Sequence, residues 1–128
     1  MYCFNYLVYL LSGDEMSTKI ENIGDIAVIT LYLSRATMDR AADFKEYMMS
    51  TIELGNKNLV VDLSLCDYVD STFLGVLVIS LKKVNAQGGH LVLVIKNQVP
   101  LGMMRETKMD KIFQIFSEID DAITALKK

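Results

Sequence analysis

The sequence predicts a single α/β domain with a mixed central sheet of roughly four to six strands flanked by about four helices. Three observations carry this expectation. The runs Ile26-Ala27-Val28-Ile29, Leu59-Val60-Val61 and Leu91-Val92-Leu93-Val94-Ile95 are apolar at consecutive positions, as strands covered on both faces must be. Between them lie segments whose apolar residues recur every three to four positions, the helical period. The chain has 128 residues, one Pro and no low-complexity linker, so its length suits one core.

In chain order, Lys19 to Ile23 reads as a weak strand and Gly24-Asp25 as a hairpin turn. Ile26 to Leu33 is a strong strand rich in β-branched residues. A helix follows, with Thr37 as N-cap, Asp39 in its first turn and Gly55 as its stop. Ala41, Phe44, Met48 and Ile52 define its buried face, and the pair Met48-Met49 reads as core filler. Asn58 to Leu63 is a strand of the buried type. Ser71 to Asn85 is a helix with Leu74, Leu77, Leu81 and Val84 on one face, ended by Gly88-Gly89. After the strand Leu91–Ile95, Pro100 suits the first turn of a short helix reaching about Met109. Lys111 to Phe116 is a further strand. Ser117 with Asp120 resembles a capping box opening a last helix, whose Ile119, Ile123 and Leu126 face inward.

Residues 1–16 form an apolar extension ahead of a domain spanning 17–128. Tyr2 to Leu11 is apolar, but about ten residues do not span a bilayer as a helix, which needs roughly 20. The stretch lacks a basic n-region and a small-residue cleavage site. Two readings stand. Its aromatic and β-branched residues suit an extra strand or an interface strand, which leaves a homodimer open. Alternatively Met16 is the natural start, and Ser12-Gly13-Asp14-Glu15 is a translated purine-rich ribosome-binding site.

Composition narrows the function. A net charge of −3 argues against direct nucleic-acid binding, which needs a basic footprint. Two cysteines, Cys3 and Cys66, and a single histidine, His90, supply neither a zinc site nor a disulfide framework, and fit a reducing cytoplasm. His90 follows Gly88-Gly89 and reads as a turn position. No Gly-rich phosphate loop, metal-ligand cluster or paired nucleophile and base is visible, so the chain reads as a non-enzyme without cofactor.

The stretch with most content is Val69-Asp70-Ser71-Thr72-Phe73-Leu74-Gly75, where a loop after a buried strand turns into a helix. The first N–H groups of a helix lack internal partners, and that end carries partial positive charge. Ser71 is therefore either a plain N-cap or a phosphorylation site, since a phosphate there meets favourable electrostatics. Thr72 shares the position with less weight. Asp70 could orient the Ser71 hydroxyl or act as a second cap, and Asp62 reads as an acceptor for N–H groups of the following loop.

From Asn58 onward the chain resembles the STAS domain, the family of bacterial anti-sigma factor antagonists and of cytoplasmic tails of sulphate transporters. The resemblance rests on Asp62-Leu63-Ser64-Leu65-Cys66-Asp67-Tyr68-Val69-Asp70-Ser71-Thr72-Phe73-Leu74-Gly75, and on Gly88-Gly89-His90-Leu91-Val92-Leu93-Val94 downstream. It covers roughly residues 17–128. Two positions depart from the family pattern. Phe73 stands where the motif has its first glycine, and Ser34 ends Leu31-Tyr32-Leu33-Ser34, where the family has an acid after its second strand. The resemblance implies a partner switch. The unphosphorylated protein binds an anti-sigma factor, commonly a serine kinase, and releases a sigma factor; phosphorylation of Ser71 breaks the complex, and a phosphatase resets it. The partner-binding residues it implies are Ser34, Asp67, Asp70, Ser71, Thr72 and Phe73.

Two other readings compete. One is an unphosphorylated interaction module in a transporter-linked or signalling complex, docking through an apolar patch of Phe73, Met103 and Met104. The other is a receiver-like domain with Asp62 as phosphoacceptor. A receiver needs a pair of acids after its first strand to hold Mg²⁺, and only Asp25 lies near. Its lysine and proline should also be adjacent, whereas three residues separate Lys96 from Pro100.

Overall fold

The computed structural model describes residues 18–127, and the N-terminal extension lies outside them. Strands β1 (Thr18–Ile23) and β2 (Ile26–Leu31) form an antiparallel hairpin closed at Gly24-Asp25. Gly24 takes φ 63°, which a residue without Cβ adopts at no steric cost. Helix α1 (Met38–Glu53), strand β4 (Asn58–Asp62), helix α2 (Ser71–Ala86), strand β6 (His90–Val94), helix α3 (Gln98–Glu106), strand β7 (Gln114–Phe116) and helix α4 (Ile119–Leu126) follow. Two short strands, β3 (Arg35–Ala36) and β5 (Tyr68–Val69), complete the described elements.

The main sheet has the order β1-β2-β4-β6-β7, with every pairing parallel except β1 with β2. Ala27, Ile29, Leu59, Val61, Leu91 and Leu93 point to one face and are buried with the apolar stripes of α1 and α2. Ile26, Val28, Val60, Val92 and Val94 point to the other, where Ala122 and Leu126 of α4 join them. The continuous apolar runs thus serve two cores, alternate residues feeding each. Phe44, Met48 and Ile52 of α1 are fully buried, each contributing about 1.5–3 kcal/mol. At the turn into β6, a Cβ on Gly89 would lie 2.2 Å from the Lys57 carbonyl oxygen.

Several expected boundaries shift. The strong strand stops at Leu31 rather than Leu33, and the next at Asp62 rather than Leu63. The helix around Pro100 ends at Glu106, where the Thr107 hydroxyl donates to the Met103 carbonyl at 2.7 Å. Lys111 to Phe116 is strand only from Gln114, because Met109–Lys111 forms a 3₁₀ turn. The Ser117–Asp120 capping box is absent: Glu118 holds the N-cap position and its side chain caps nothing.

The small β3–β5 sheet has no counterpart in the sequence reading, since two-residue strands carry no periodicity. It pairs Arg35 with Tyr68 and Ala36 with Val69 in parallel. Its consequence is positional. It brings the chain entering α1 beside the chain entering α2, at the carboxyl ends of β2 and β4.

Candidate functional site

The loop from Leu63 to Asp67 leaves the end of β4 and is anchored from several sides. The Asp62 carboxylate accepts the Ser64 N–H at 3.0 Å, as expected for an acid ending a buried strand. The Ser34 carbonyl accepts the Asp67 and Tyr68 N–H groups at 2.7 and 3.2 Å. Ser34 therefore lies against this loop through its backbone, and its side chain is exposed. Cys66 points into the core and is fully buried. Burial, reinforced by the carboxylates of Asp62 and Asp67, pushes its thiol up to about 12. Such a thiol stays protonated and unreactive.

Asp70 is the hinge of the site. Its backbone is extended (φ −96°, ψ 174°), and it holds the N-cap position of α2. One carboxylate oxygen accepts the Phe73 N–H at 2.9 Å; the other accepts the Met38 N–H at 2.7 Å. A single carboxylate thus caps two helix N-termini, where negative charge is favoured. Thr37 does occupy the N-cap position of α1, but its hydroxyl bonds the Asp39 carboxylate instead of a backbone N–H. That bond, more than the nearby Arg40 and Arg35, holds the Asp39 carboxyl below its usual range.

The N-cap alternative for Ser71 is therefore corrected: Asp70 does the capping. Ser71 is the first residue within α2, and both it and Thr72 are exposed. The Ser71 hydroxyl makes no hydrogen bond among the described residues and remains available for chemistry. Asp67 is also exposed, 3.3 Å from the Asn97 side-chain amide.

Phe73 departs from expectation. It is fully buried and stacks on Phe44, ring centroids 4.5 Å apart and planes 15° from parallel. It joins α2 to α1 in the core and presents nothing to a partner. The apolar patch of Phe73, Met103 and Met104 does not form either, because Met104 is 3% exposed and Met103 half-buried. The third turn residue of a helix can point in or out, and sequence spacing placed Phe73 one position before the Leu74 stripe. The receiver geometry fails as well. Asp25 sits in the hairpin turn at the start of β2, accepting from Asn58 at 3.2 Å, whereas Asp62 lies at the other, carboxyl end of the parallel strands.

Other groups complete the surface. Met38, Leu65 and Val99 are 69%, 51% and 59% exposed. The Met38 N–H donates to Asp70, and the Asn97 side chain joins the loop of Leu65 to the start of α3, which carries Val99. All three lie at the carboxyl end of the parallel strands. The Arg35 guanidinium sits 4.6 Å over the Tyr68 ring, which fixes a cation beside the same loop. The sequence gives Met38, Val99 and Arg35 no role, because a single residue at the start of a helix or in a two-residue strand carries no pattern.

The fold is an α/β domain with a mixed five-stranded sheet, and an exposed serine opens a helix at the carboxyl end of its parallel strands. The STAS domain family model matches residues 18–122, and the chain belongs to that family. A Thermotoga maritima protein named "Putative anti-sigma factor antagonist" is 27% identical over 107 residues, covering 83% of this chain and 95% of the relative. The crystal structure of an anti-sigma factor antagonist from Mycobacterium paratuberculosis superposes with a TM-score of 0.82 at 21% identity, covering 89% of this chain and 96% of that one. The Bacillus cell fate determinant SpoIIAA, solved in its phosphorylated form, gives 0.66 at 14% identity, covering 87% and 100%. At these identities the two structures speak for the fold.

Proposed function

We propose that the chain is a cytoplasmic, non-enzymatic anti-sigma factor antagonist. In its unphosphorylated form it binds an anti-sigma factor, a serine kinase, and so releases a sigma factor. Phosphorylation of Ser71 by that kinase ends the complex, and a phosphatase restores it. The observation that carries this reading is the division of labour between Asp70 and Ser71. Asp70 supplies the side-chain cap of α2, and the exposed Ser71 hydroxyl makes no hydrogen bond among the described residues.

The physics of such a switch follows from the site. Phosphate adds about −1.5 to −2 charges at neutral pH. In the free protein the start of α2 tolerates that charge, so the fold persists. Under a partner the phosphate is desolvated beside Asp67 and Asp70. A penalty of about 3 kcal/mol weakens binding on the order of 100-fold. Met38, Leu65 and Val99 supply apolar contact around it, and Ser34, Asp67 and Thr72 the polar rim. The name of the Thermotoga maritima relative agrees with the anti-sigma factor antagonist part of this role.

The test is a pull-down from native lysate with wild type, Ser71→Ala and Ser71→Asp, read by mass spectrometry. An anti-sigma factor recovered with the first two and lost with Ser71→Asp supports the switch. Equal recovery with all three leaves a docking module that ignores Ser71.

A further inference from the structure

Asn97 precedes α3 yet does not cap it. Its side-chain amide nitrogen donates to the Cys66 carbonyl at 2.6 Å, and lies 3.4 Å from the Ser64 carbonyl oxygen and 3.3 Å from an Asp67 carboxylate oxygen. These partners are 30 to 33 residues away in the chain. An amide has two N–H donors, so one serves Cys66 and the other is shared by Ser64 and Asp67. The N–H side of the loop is held by Asp62 and Ser34, and its carbonyl side is held by Asn97. Leu65 and Asp67 project from the clasped segment, which leads through β5 to Asp70 and Ser71.

We infer that Asn97 is a positioning residue for the Ser71 surface: by clasping the backbone of Ser64–Asp67 it sets where Leu65 and Asp67 stand on the loop that leads into Ser71. It does not touch the serine itself. It acts through the loop, and it makes the start of α3, with exposed Val99, part of the same recognition unit. The residue type follows from the acceptors. Two carbonyls and a carboxylate converge on the site, so it must donate without accepting at that atom. An aspartate of the same shape would place oxygen against oxygen, and an alanine would leave the buried-side carbonyls without their donor. The recognition half of the inference rests on the proposed function; the clasp stands on geometry alone.

The buried Cys66 reports on the clasp. In the full chain, alkylation by N-ethylmaleimide is followed at peptide level, so that Cys66 is separated from Cys3. Wild type, Asn97→Asp, Asn97→Ala and the surface control Arg105→Ala are compared at neutral pH. Local opening of the loop accelerates Cys66 labelling by about 10-fold or more in both Asn97 variants, independent of low urea, with far-UV circular dichroism unchanged. Labelling at the wild-type rate, or acceleration that tracks global unfolding in urea, overturns the clasp. Affinity for the purified anti-sigma factor captured above gives the second readout. A loss of about 10-fold in Asn97→Asp, with Arg105→Ala unaffected, supports the positioning role. An open loop with unchanged affinity overturns that role and leaves the proposed function standing. A wild type that binds no anti-sigma factor overturns the recognition half together with the proposed function, and labelling then decides the clasp.

Discussion

Replacing Asp70 by alanine removes two caps at once, and the cost can be built from the structure. The bond to the Phe73 N–H is an N-cap, worth typically about 1 kcal/mol. The bond to the Met38 N–H joins a charged acceptor to a second helix, about 1.5–3 kcal/mol before solvent takes over. Asp70 is partly exposed, so water partly satisfies the freed N–H groups. The expected loss is about 3 kcal/mol, roughly 10 °C in melting temperature for a domain of this size. Ser71→Ala is the matched control. It deletes a hydroxyl without a partner and puts the better helix former in the first turn, so it changes stability by less than about 0.5 kcal/mol. Urea unfolding followed by circular dichroism measures both. A cost for Ser71→Ala equal to that of Asp70→Ala would refute the reasoning, because Ser71 would then be the cap. An Asp70→Ala variant as stable as wild type would refute it from the other side.

Further predictions concern the core and the surface. Phe73→Ala removes a fully buried ring stacked on Phe44 and should cost about 3–5 kcal/mol in the same urea assay; a loss below 1 kcal/mol would show that the ring is not core. Gly89→Ala sets a Cβ against the Lys57 carbonyl oxygen and should lose at least about 2 kcal/mol, with a neutral outcome disproving the close approach. The Cys66 thiol, pushed by burial from 9.0 to about 12, keeps its proton in the fold after the unfolded chain has released it. Stability is therefore full below about pH 9 and falls as pH rises toward 12, by at most about 1.4 kcal/mol per pH unit. Cys66→Ala should flatten that fall between about pH 9 and 12, and parallel slopes would contradict it. Leu65→Ser leaves the fold intact and weakens partner binding by about 10-fold, measured by titration calorimetry; unchanged affinity would remove Leu65 from the surface.

How much was legible in the sequence depended on whether a residue's role was local. The stripes Ala41-Phe44-Met48-Ile52 and Leu74-Leu77-Leu81-Val84 were readable because helix period alone places them, and all eight are buried. Asp62 was readable as well, since its bond to the Ser64 N–H spans two residues. The site was legible as a stretch of chain but not as an arrangement. The sequence leaves Ser71 as either a cap or a phosphorylation site because Ser favours that position, whereas the neighbouring Asp70 has a longer reach and two acceptors and caps both helices. The bond from Met38 to Asp70 spans 32 residues, and that from Asn97 to Cys66 spans 31. No spacing rule reports such contacts, because the first follows from the pairing of β3 with β5 and the second from the pairing of β4 with β6. Phe73 was misplaced for the same reason: its surroundings are set by Phe44 on another helix.

The central claim is that Ser71 carries a phosphate that governs partner binding. The most direct measurement incubates the purified chain with ATP and the captured anti-sigma kinase, then maps phosphate by peptide mass spectrometry and follows dissociation of the complex. One phosphate is expected, on Ser71, with none on the Ser71→Ala variant and release of the kinase as the modification proceeds. Phosphate on another residue, or a complex that persists with Ser71 fully phosphorylated, would contradict it.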